Sequence, residues 1–242
     1  MRVLVAGATG VIGQHLVPGL ITAGHEVTAS TRSALKVHQL AGQGATPVII
    51  DGLDREAVLK AVTPAQPEVI VHQMTALTRM KIFRNFDKEF AVTNELRSRG
   101  TDNLLEAARE AGTRRFIAQS FVGWTNGREG GTVKTEHDPL DSVAAVTRGT
   151  SGISSVVDDE PAPVAQWLPY LASSLGVKPP MRAAPVWLGR LLGGQMTVSM
   201  MIEVRGASNE KAKRVLDWTP AYPSWRDGFP VWAAAFKSGQ AA

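Results

Sequence analysis

The first 120 residues alternate between two hydrophobic periods. Residues 2–6 form a short apolar run that reads as a buried strand, and residues 11–23 carry apolar side chains at helical spacing up to Gly24. The same alternation predicts strands at 26–30, 47–50, 68–72 and 115–120, with a helix at 33–41. Asp54 precedes a run of good helix formers and predicts a capped helix through Val62. The longest helical stretch is 86–111, with Gly100 as the point where it can break. Strands and helices alternating at this spacing require parallel pairing with right-handed crossovers and helices on both faces.

Beyond residue 122 the pattern changes. Residues 123–152 are rich in glycine and charge, with little periodicity, and read as loop; 153–157 reads as a strand. A helix is expected at 161–175, with Pro161 at its start and Pro169 able to kink it. Prolines 179, 180 and 185 mark a connector, followed by one or two helices at 186–206, another at 208–216 and a short one before the end. The fold class is therefore α/β: a Rossmann-like, doubly wound parallel sheet with a small, mostly helical C-terminal subdomain. The division is placed between a dinucleotide-type domain, 1–146, and a substrate-type subdomain, 147–242, whose one strand returns to the sheet.

Composition narrows the function. The chain has 242 residues, 44% hydrophobic and 20% charged, the balance of a globular protein. It has no cysteine, which excludes disulfides and thiolate metal sites, and no metal is expected. The net charge of +4 comes from scattered Lys and Arg without a basic block, so no nucleic-acid partner is expected. The apolar stretch 185–204 is interrupted by Arg190 and Glu203, so no membrane span is expected, and the expected location is the cytoplasm.

The sharpest signal is Gly7-Ala8-Thr9-Gly10-Val11-Ile12-Gly13, directly after a strand and opening a helix. The first glycine of such a loop makes the tight turn, the second lets backbone approach a pyrophosphate, and the third allows close helix packing. The helix N-terminus adds free N–H groups and partial positive charge. The tip of the second strand, Ala29-Ser30-Thr31-Arg32-Ser33, carries no acid for a ribose 2′-hydroxyl. Arg32 can fork onto a 2′-phosphate, and Ser30 or Ser33 can hydrogen-bond it, which predicts NADP in preference to NAD.

Together with Asp51-Gly52-Leu53-Asp54, Ile70-Val71-His72 and the run Gly100 to Ala108, this loop resembles the extended short-chain dehydrogenase/reductases, the NAD-dependent epimerase/dehydratase family. The run Ser208 to Pro220 is similar to that family's C-terminal substrate region. The resemblance implies that Gly7, Thr9, Gly10, Val11, Ile12 and Gly13 hold a pyrophosphate. It implies that Asp51 and Gly52 lie against the adenine, and that Gln73, Met74 and Thr75 line the path to the nicotinamide ribose. Asp51 as a turn cap, Met74 as core and His72 as a satisfied core histidine are the structural alternatives. A homodimer through the long helix is also implied.

The family's chemistry rests on a Ser or Thr, a Tyr and a Lys four residues after it, the ammonium lowering the phenol's pKa. Here Tyr170 is followed at that spacing by Ser174, and Tyr222 by Arg226, so there is no Tyr-x-x-x-Lys. Ser120 falls at the serine position. His137 and Asp138 are the further acid–base candidates. The chain resembles a family member shortened between about 140 and 147, so cover for the fifth strand and the 86–111 helix has to come from the 161–175 and 186–206 helices or from a partner chain. Two readings follow. One is an NADP-dependent oxidoreductase or epimerase acting on a small carbonyl or alcohol substrate with an unusual proton donor. The other is a dinucleotide-binding sensor or remnant without turnover. Trp187, Trp218, Trp225 and Trp232 read mostly as core anchors of the C-terminal part.

Overall fold

The structure is a computed structural model that describes residues 1–77, 86–119, 131–135, 137–138, 155, 157–178 and 185–238. The chain divides into two compact units, Met1–Ser120 and Phe121–Ala242, where the sequence reading placed its division at 146/147. The aperiodic 123–152 region offers no local pattern by which to allot it to either side.

In the first unit, β1 (Arg2–Ala6), β2 (Glu26–Thr31), β3 (Thr46–Ile49), β4 (Val69–His72) and β5 (Arg115–Ala118) form one parallel sheet in the order β3-β2-β1-β4-β5. The crossovers are α1 (Gly13–Thr22), α2 (Val37–Gly42) after a 3₁₀ turn at Ala34–Lys36, α3 (Arg55–Ala65), and the pair α4 (Phe86–Arg97) and α5 (Arg99–Glu110). β1 shows why the sheet is covered on both sides. Its side chains alternate between faces. Leu4 and Ala6 pack with Ile70, Val58, Val62, Leu104 and Ala107 beneath α3 and α5. Val3 and Val5 pack with Val17, Val27, Leu40 and Val71 on the face of α1 and α2. Strands buried on both faces read as continuous apolar runs, which is how β1 and β4 are written.

Asp54 caps α3 as expected, its carboxylate accepting from the Ala57 N–H at 3.1 Å. The long helical stretch breaks at Ser98 (φ −96°, ψ −84°), two residues before the glycine. Gly100 is itself helical and buried, its open side near the Gly52 carbonyl. Close packing uses it, and the turn falls elsewhere.

In the second unit, β6 (Val133–Lys134) pairs with β7 (Gly206–Ala207), a ladder too short for the hydrophobic period to reveal. The helices are α6 (Val164–Leu175), α7 (Val186–Ile202), α8 (Glu210–Leu216) and α9 (Trp225–Lys237). Non-helical Gly194 inside α7 accounts for the expected one-or-two helices. α6 and α9 meet through Tyr170, Trp167, Trp225 and Phe229, with Tyr170 edge-on to Trp225 at 5.3 Å. Of the four late tryptophans only Trp225 is buried; Trp187 and Trp232 are exposed and Trp218 is half-buried. The expectation that most anchor a core is corrected: of the four, Trp225 has an indole N–H that donates to a backbone carbonyl, that of Glu160 at 3.1 Å, and this is the ring that goes inside. The strand expected at 153–157 falls mainly outside the described residues, as do Ser120 and the point of shortening at 140–147.

Candidate nucleotide-binding site

The sheet order reverses between β1 and β4, and open α/β sheets bind ligands at that crevice, beyond the carboxyl ends of the strands. The glycine loop lies there. Gly7 has φ +92°, and a Cβ on it would stand 2.9 Å from the Gln73 backbone, so the loops leaving β1 and β4 are in direct contact. A Cβ on Gly13 would run into the carbonyls of Gly7 and Ala8, which holds the start of α1 tight against the loop. The Gly10 N–H donates to the Gly7 carbonyl at 3.1 Å. Among the described residues, the N–H groups of Thr9, Val11 and Ile12 take no internal acceptor. The apolar side chains of Val11 and Ile12 beside them are 68% and 46% exposed. Free donors, a helix N-terminus and uncovered apolar surface together fit a pyrophosphate with its flanking sugars.

The underside of the loop is fastened by β2. Ser30 Oγ accepts from the Gly7 N–H at 3.0 Å, and Thr31 Oγ1 lies 3.3 Å from Thr9 Oγ1. Both side chains are buried. Ser30 therefore holds the loop from below, which corrects the expectation that it reaches a phosphate. Arg32 is exposed at the end of β2. Lys36, which sequence reasoning missed, lies on the 3₁₀ turn with Nζ donating to the Thr9 carbonyl at 3.5 Å. Two cations thus flank the loop where an acid would select NAD.

On the other side, Asp51 accepts the Leu53 N–H at 3.1 Å through Oδ1, leaving its second oxygen uncommitted. Gly52 is buried against Met74 and Leu96, and its carbonyl accepts from Asn103 Nδ2 at 3.0 Å. Met74 turns its side chain into the core, while Thr75 is half-buried just beyond the strand. Gln73 Oε1 is buried without a donor, an acceptor that a ligand hydroxyl or amide could satisfy. Asn103 and Thr93, whose Oγ1 accepts from the Ala76 N–H at 3.1 Å, also brace this region. Asn103 falls in the run Gly100 to Ala108 that carries the resemblance, but nothing in that run points to this bracing role, and Thr93 carries no signal at all.

His72 is a structural residue. Nδ1 accepts from the Met74 N–H at 3.2 Å, so Nε2 carries the proton and donates to the Leu96 carbonyl at 3.2 Å. Burial holds this imidazole below its ordinary pKa, and the field of Arg97 adds to the effect. The unfolded chain thus binds a proton that the folded state refuses. Stability is full above the ordinary histidine range and falls as pH drops through it. Denaturation between pH 7.5 and 5.5 should show a slope contributed by His72 of at most about 1.4 kcal/mol per pH unit. His72→Gln should flatten it; an unchanged slope would exclude His72 as the cause.

The further acid–base candidates, His137 and Asp138, lie in the second unit. Asp138 accepts from the Thr135 N–H and Oγ1 at 2.8 and 2.9 Å and faces the buried Lys134 ammonium at 3.5 Å. These bonds, the backbone one foremost, hold its carboxyl below the usual range, so it stays ionised at neutral pH. His137 is exposed. Tyr170 is tied through its hydroxyl to the Arg226 carbonyl at 3.0 Å.

A family model described as NAD(P)H-binding matches residues 7–148. The chain belongs to this family. It is 38% identical to a 3-diazoavenalumate denitrifying reductase from a Streptomyces species, over 94% of this chain and 99% of that one. That alignment runs over 308 positions, so at least 66 positions of the relative have no counterpart among these 242 residues, in keeping with the shortening read from the sequence. A 2-alkyl-3-oxoalkanoate reductase from Stenotrophomonas maltophilia is 31% identical over 52% of this chain, a match spanning 35% of that relative. Two solved structures superpose along nearly the whole length: a human epimerase family protein with NADPH (TM-score 0.69, 16% identity, 97% of this chain and 99% of that one) and a UDP-glucose 4-epimerase from Thermotoga maritima with UDP-glucose (TM-score 0.68, 17% identity, 99% of both). At these identities the likeness is one of fold. This NAD(P)H-binding chain thus takes a nicotinamide dinucleotide on a Rossmann-like sheet of the epimerase and reductase type. Among the described residues, no helix is long and apolar enough to cross a membrane.

Proposed function

We propose that this chain binds NADP(H) in preference to NAD(H) and serves a reductase whose substrate needs no proton from a Tyr/Lys pair. The observation that carries the cofactor reading is the loop at the β1/β4 switch point, flanked by Arg32 and Lys36 and lacking an acid at the end of β2. Gly7, Thr9, Gly10, Val11, Ile12 and Gly13 form the cradle of the pyrophosphate: the free N–H groups of Thr9, Val11 and Ile12 donate to it, and the three glycines let the backbone come close. Arg32 takes the 2′-phosphate and Lys36 adds charge beside it. The free oxygen of Asp51 accepts from the adenine amino group over Gly52, and the backbone of Gln73 to Thr75 lines the way to the nicotinamide ribose.

The nicotinamide, when bound, supplies a hydride. A carbonyl acceptor then becomes an alkoxide and requires a proton donor, which neither Tyr170 with Ser174 nor Tyr222 with Arg226 provides. A diazonium acceptor requires none: the new C–H bond forms as the C–N bond pair leaves with dinitrogen, and charge balances. The relative named for a denitrifying reduction makes this acceptor class the preferred one. Two relatives are named for substrates that are carboxylates, an avenalumate and an oxoalkanoate. The competing reading, cofactor binding without turnover, is favoured by the 66 or more relative positions that this chain lacks.

The test is calorimetric titration with NADPH and NADH, then NADPH oxidation in the presence of an aryl diazonium carboxylate or a 3-oxoalkanoate. Arg32→Ala should weaken NADPH about 10- to 100-fold, the worth of one charged hydrogen-bonding group, and leave NADH unchanged. Equal affinities in the wild type would sink the NADP preference. Oxidation with the diazonium acid alone supports the reductase; binding without oxidation by either acceptor supports the second reading.

A further inference from the structure

Near the carboxyl edge of the sheet stands a cation without a counter-charge among the described residues. Arg97 ends α4, immediately before the break at Ser98. Its backbone is pinned close to the end of β4: the carbonyl of neighbouring Leu96 accepts from His72 Nε2, and Thr101 Oγ1 donates to the Arg97 carbonyl at 2.7 Å. The side chain is half-buried and its Nε is fully enclosed without an acceptor. Among the described residues the guanidinium makes no hydrogen bond and no ion pair. Three exposed arginines of the same unit are paired: Arg99 with Glu95, Arg114 with Glu68, Arg55 with Glu106. Arg97 is less solvated than these three, and among the described residues it has no such partner.

A buried charge with no counter-charge is costly, and arginine does not escape by losing its proton. Burial holds Arg97 below the ordinary guanidinium range, yet the group remains a cation at any physiological pH. A guanidinium presents N–H pairs that match a carboxylate or phosphate in two parallel hydrogen bonds. This one stands at the sheet edge where such folds take ligands.

We propose that Arg97 is an anion-binding residue of the ligand crevice and that the anion is the carboxylate of an acidic substrate. The inference rests on the reductase reading above and deepens it by giving the substrate class a residue. A cofactor phosphate offers the same chemistry, but the free amides of the glycine loop, Arg32 and Lys36 already suffice for those phosphates.

The probe is 4-hydroxycinnamate, with its methyl ester as the uncharged control, titrated calorimetrically into full-length protein saturated with NADPH. The wild type should bind the acid at least about tenfold more tightly than the ester. Arg97→Gln should remove at least about tenfold of the acid affinity while ester and NADPH affinities stay within about twofold. Arg97→Lys should recover part of the loss. Neither variant should lower the melting temperature, because each removes or softens an uncompensated buried charge. Acid binding indifferent to Arg97→Gln, or absent from a wild type that binds NADPH, overturns the inference and leaves the cofactor reading standing. NADPH weakened tenfold in Arg97→Gln places a cofactor phosphate on Arg97 and overturns the carboxylate. A clear fall in melting temperature makes Arg97 a structural cation. A wild type that binds no NADPH brings down the cofactor reading and the inference with it.

Discussion

Gly13→Val should abolish nucleotide binding while leaving a folded protein. A Cβ at Gly13 meets the Gly7 carbonyl and stands 2.5 Å from that of Ala8, both rigid backbone. The helix start and the loop cannot both stay in place, so the free amides of Val11 and Ile12 lose their aim. NADPH affinity should fall at least about 100-fold, equivalent to roughly 2.8 kcal/mol. Forcing the close contact should cost stability of about 1–3 kcal/mol. Gly19→Ala, on the same helix with open space around it, is the matched control. It should leave affinity unchanged and stabilise by about 0.5–1 kcal/mol. Calorimetry and thermal melts on both variants decide the matter. Retained NADPH affinity in Gly13→Val would mean that the amides at the start of α1 do not hold the cofactor.

The largest effect on stability should come from Leu104→Ala. Leu104 is fully buried on α5, in the cluster that joins Leu4, Ile70, Val58 and Val62 beneath α3. Deleting its three outer carbons should cost about 2–5 kcal/mol, a large share of a typical total of about 5–15 kcal/mol. The adjacent Asn103→Ala leaves the buried Gly52 carbonyl without its donor and should cost about 1–3 kcal/mol. Urea denaturation without nucleotide measures both. A loss below about 1 kcal/mol for Leu104→Ala would show that this layer of the core rearranges to fill the space. Asn103→Ala should also weaken NADPH, because it frees the turn that carries Asp51.

The sheet was legible in the sequence because its signals are local. β1 and β4 are continuous apolar runs, α3 has its aspartate cap, and the glycine loop sits between a strand and a helix. Each of these is a property of neighbouring residues. The break in the long helix shows where that logic weakens. Gly100 is the residue with most backbone freedom, yet the turn falls at Ser98, because Gly100 is used to bring α5 against the Gly52 loop. Ser30 shows the same limit. Its position at the strand tip is readable, but whether its hydroxyl faces a ligand or the Gly7 N–H, 23 residues away, depends on how β2 lies beside β1. The tryptophans fail as core markers for a related reason. A buried indole usually needs a carbonyl for its N–H to meet, and of these four Trp225 has one.

By itself the sequence determined the parallel α/β class, the phosphate loop, the acid-free tip of β2 and the absence of a Tyr-x-x-x-Lys pair. All are set by residue identity and short-range spacing. Among the described residues the tertiary structure decided which groups those elements leave over: the unpaired amides of Val11 and Ile12, Lys36 folded onto the Thr9 carbonyl, His72 locked as a neutral core tautomer, and half-buried Arg97 without a counter-charge. A hydrogen bond or an ion pair satisfied across tens of residues has no period along the chain. Whether a polar group is spent on the fold or remains for a ligand is settled only when the elements pack.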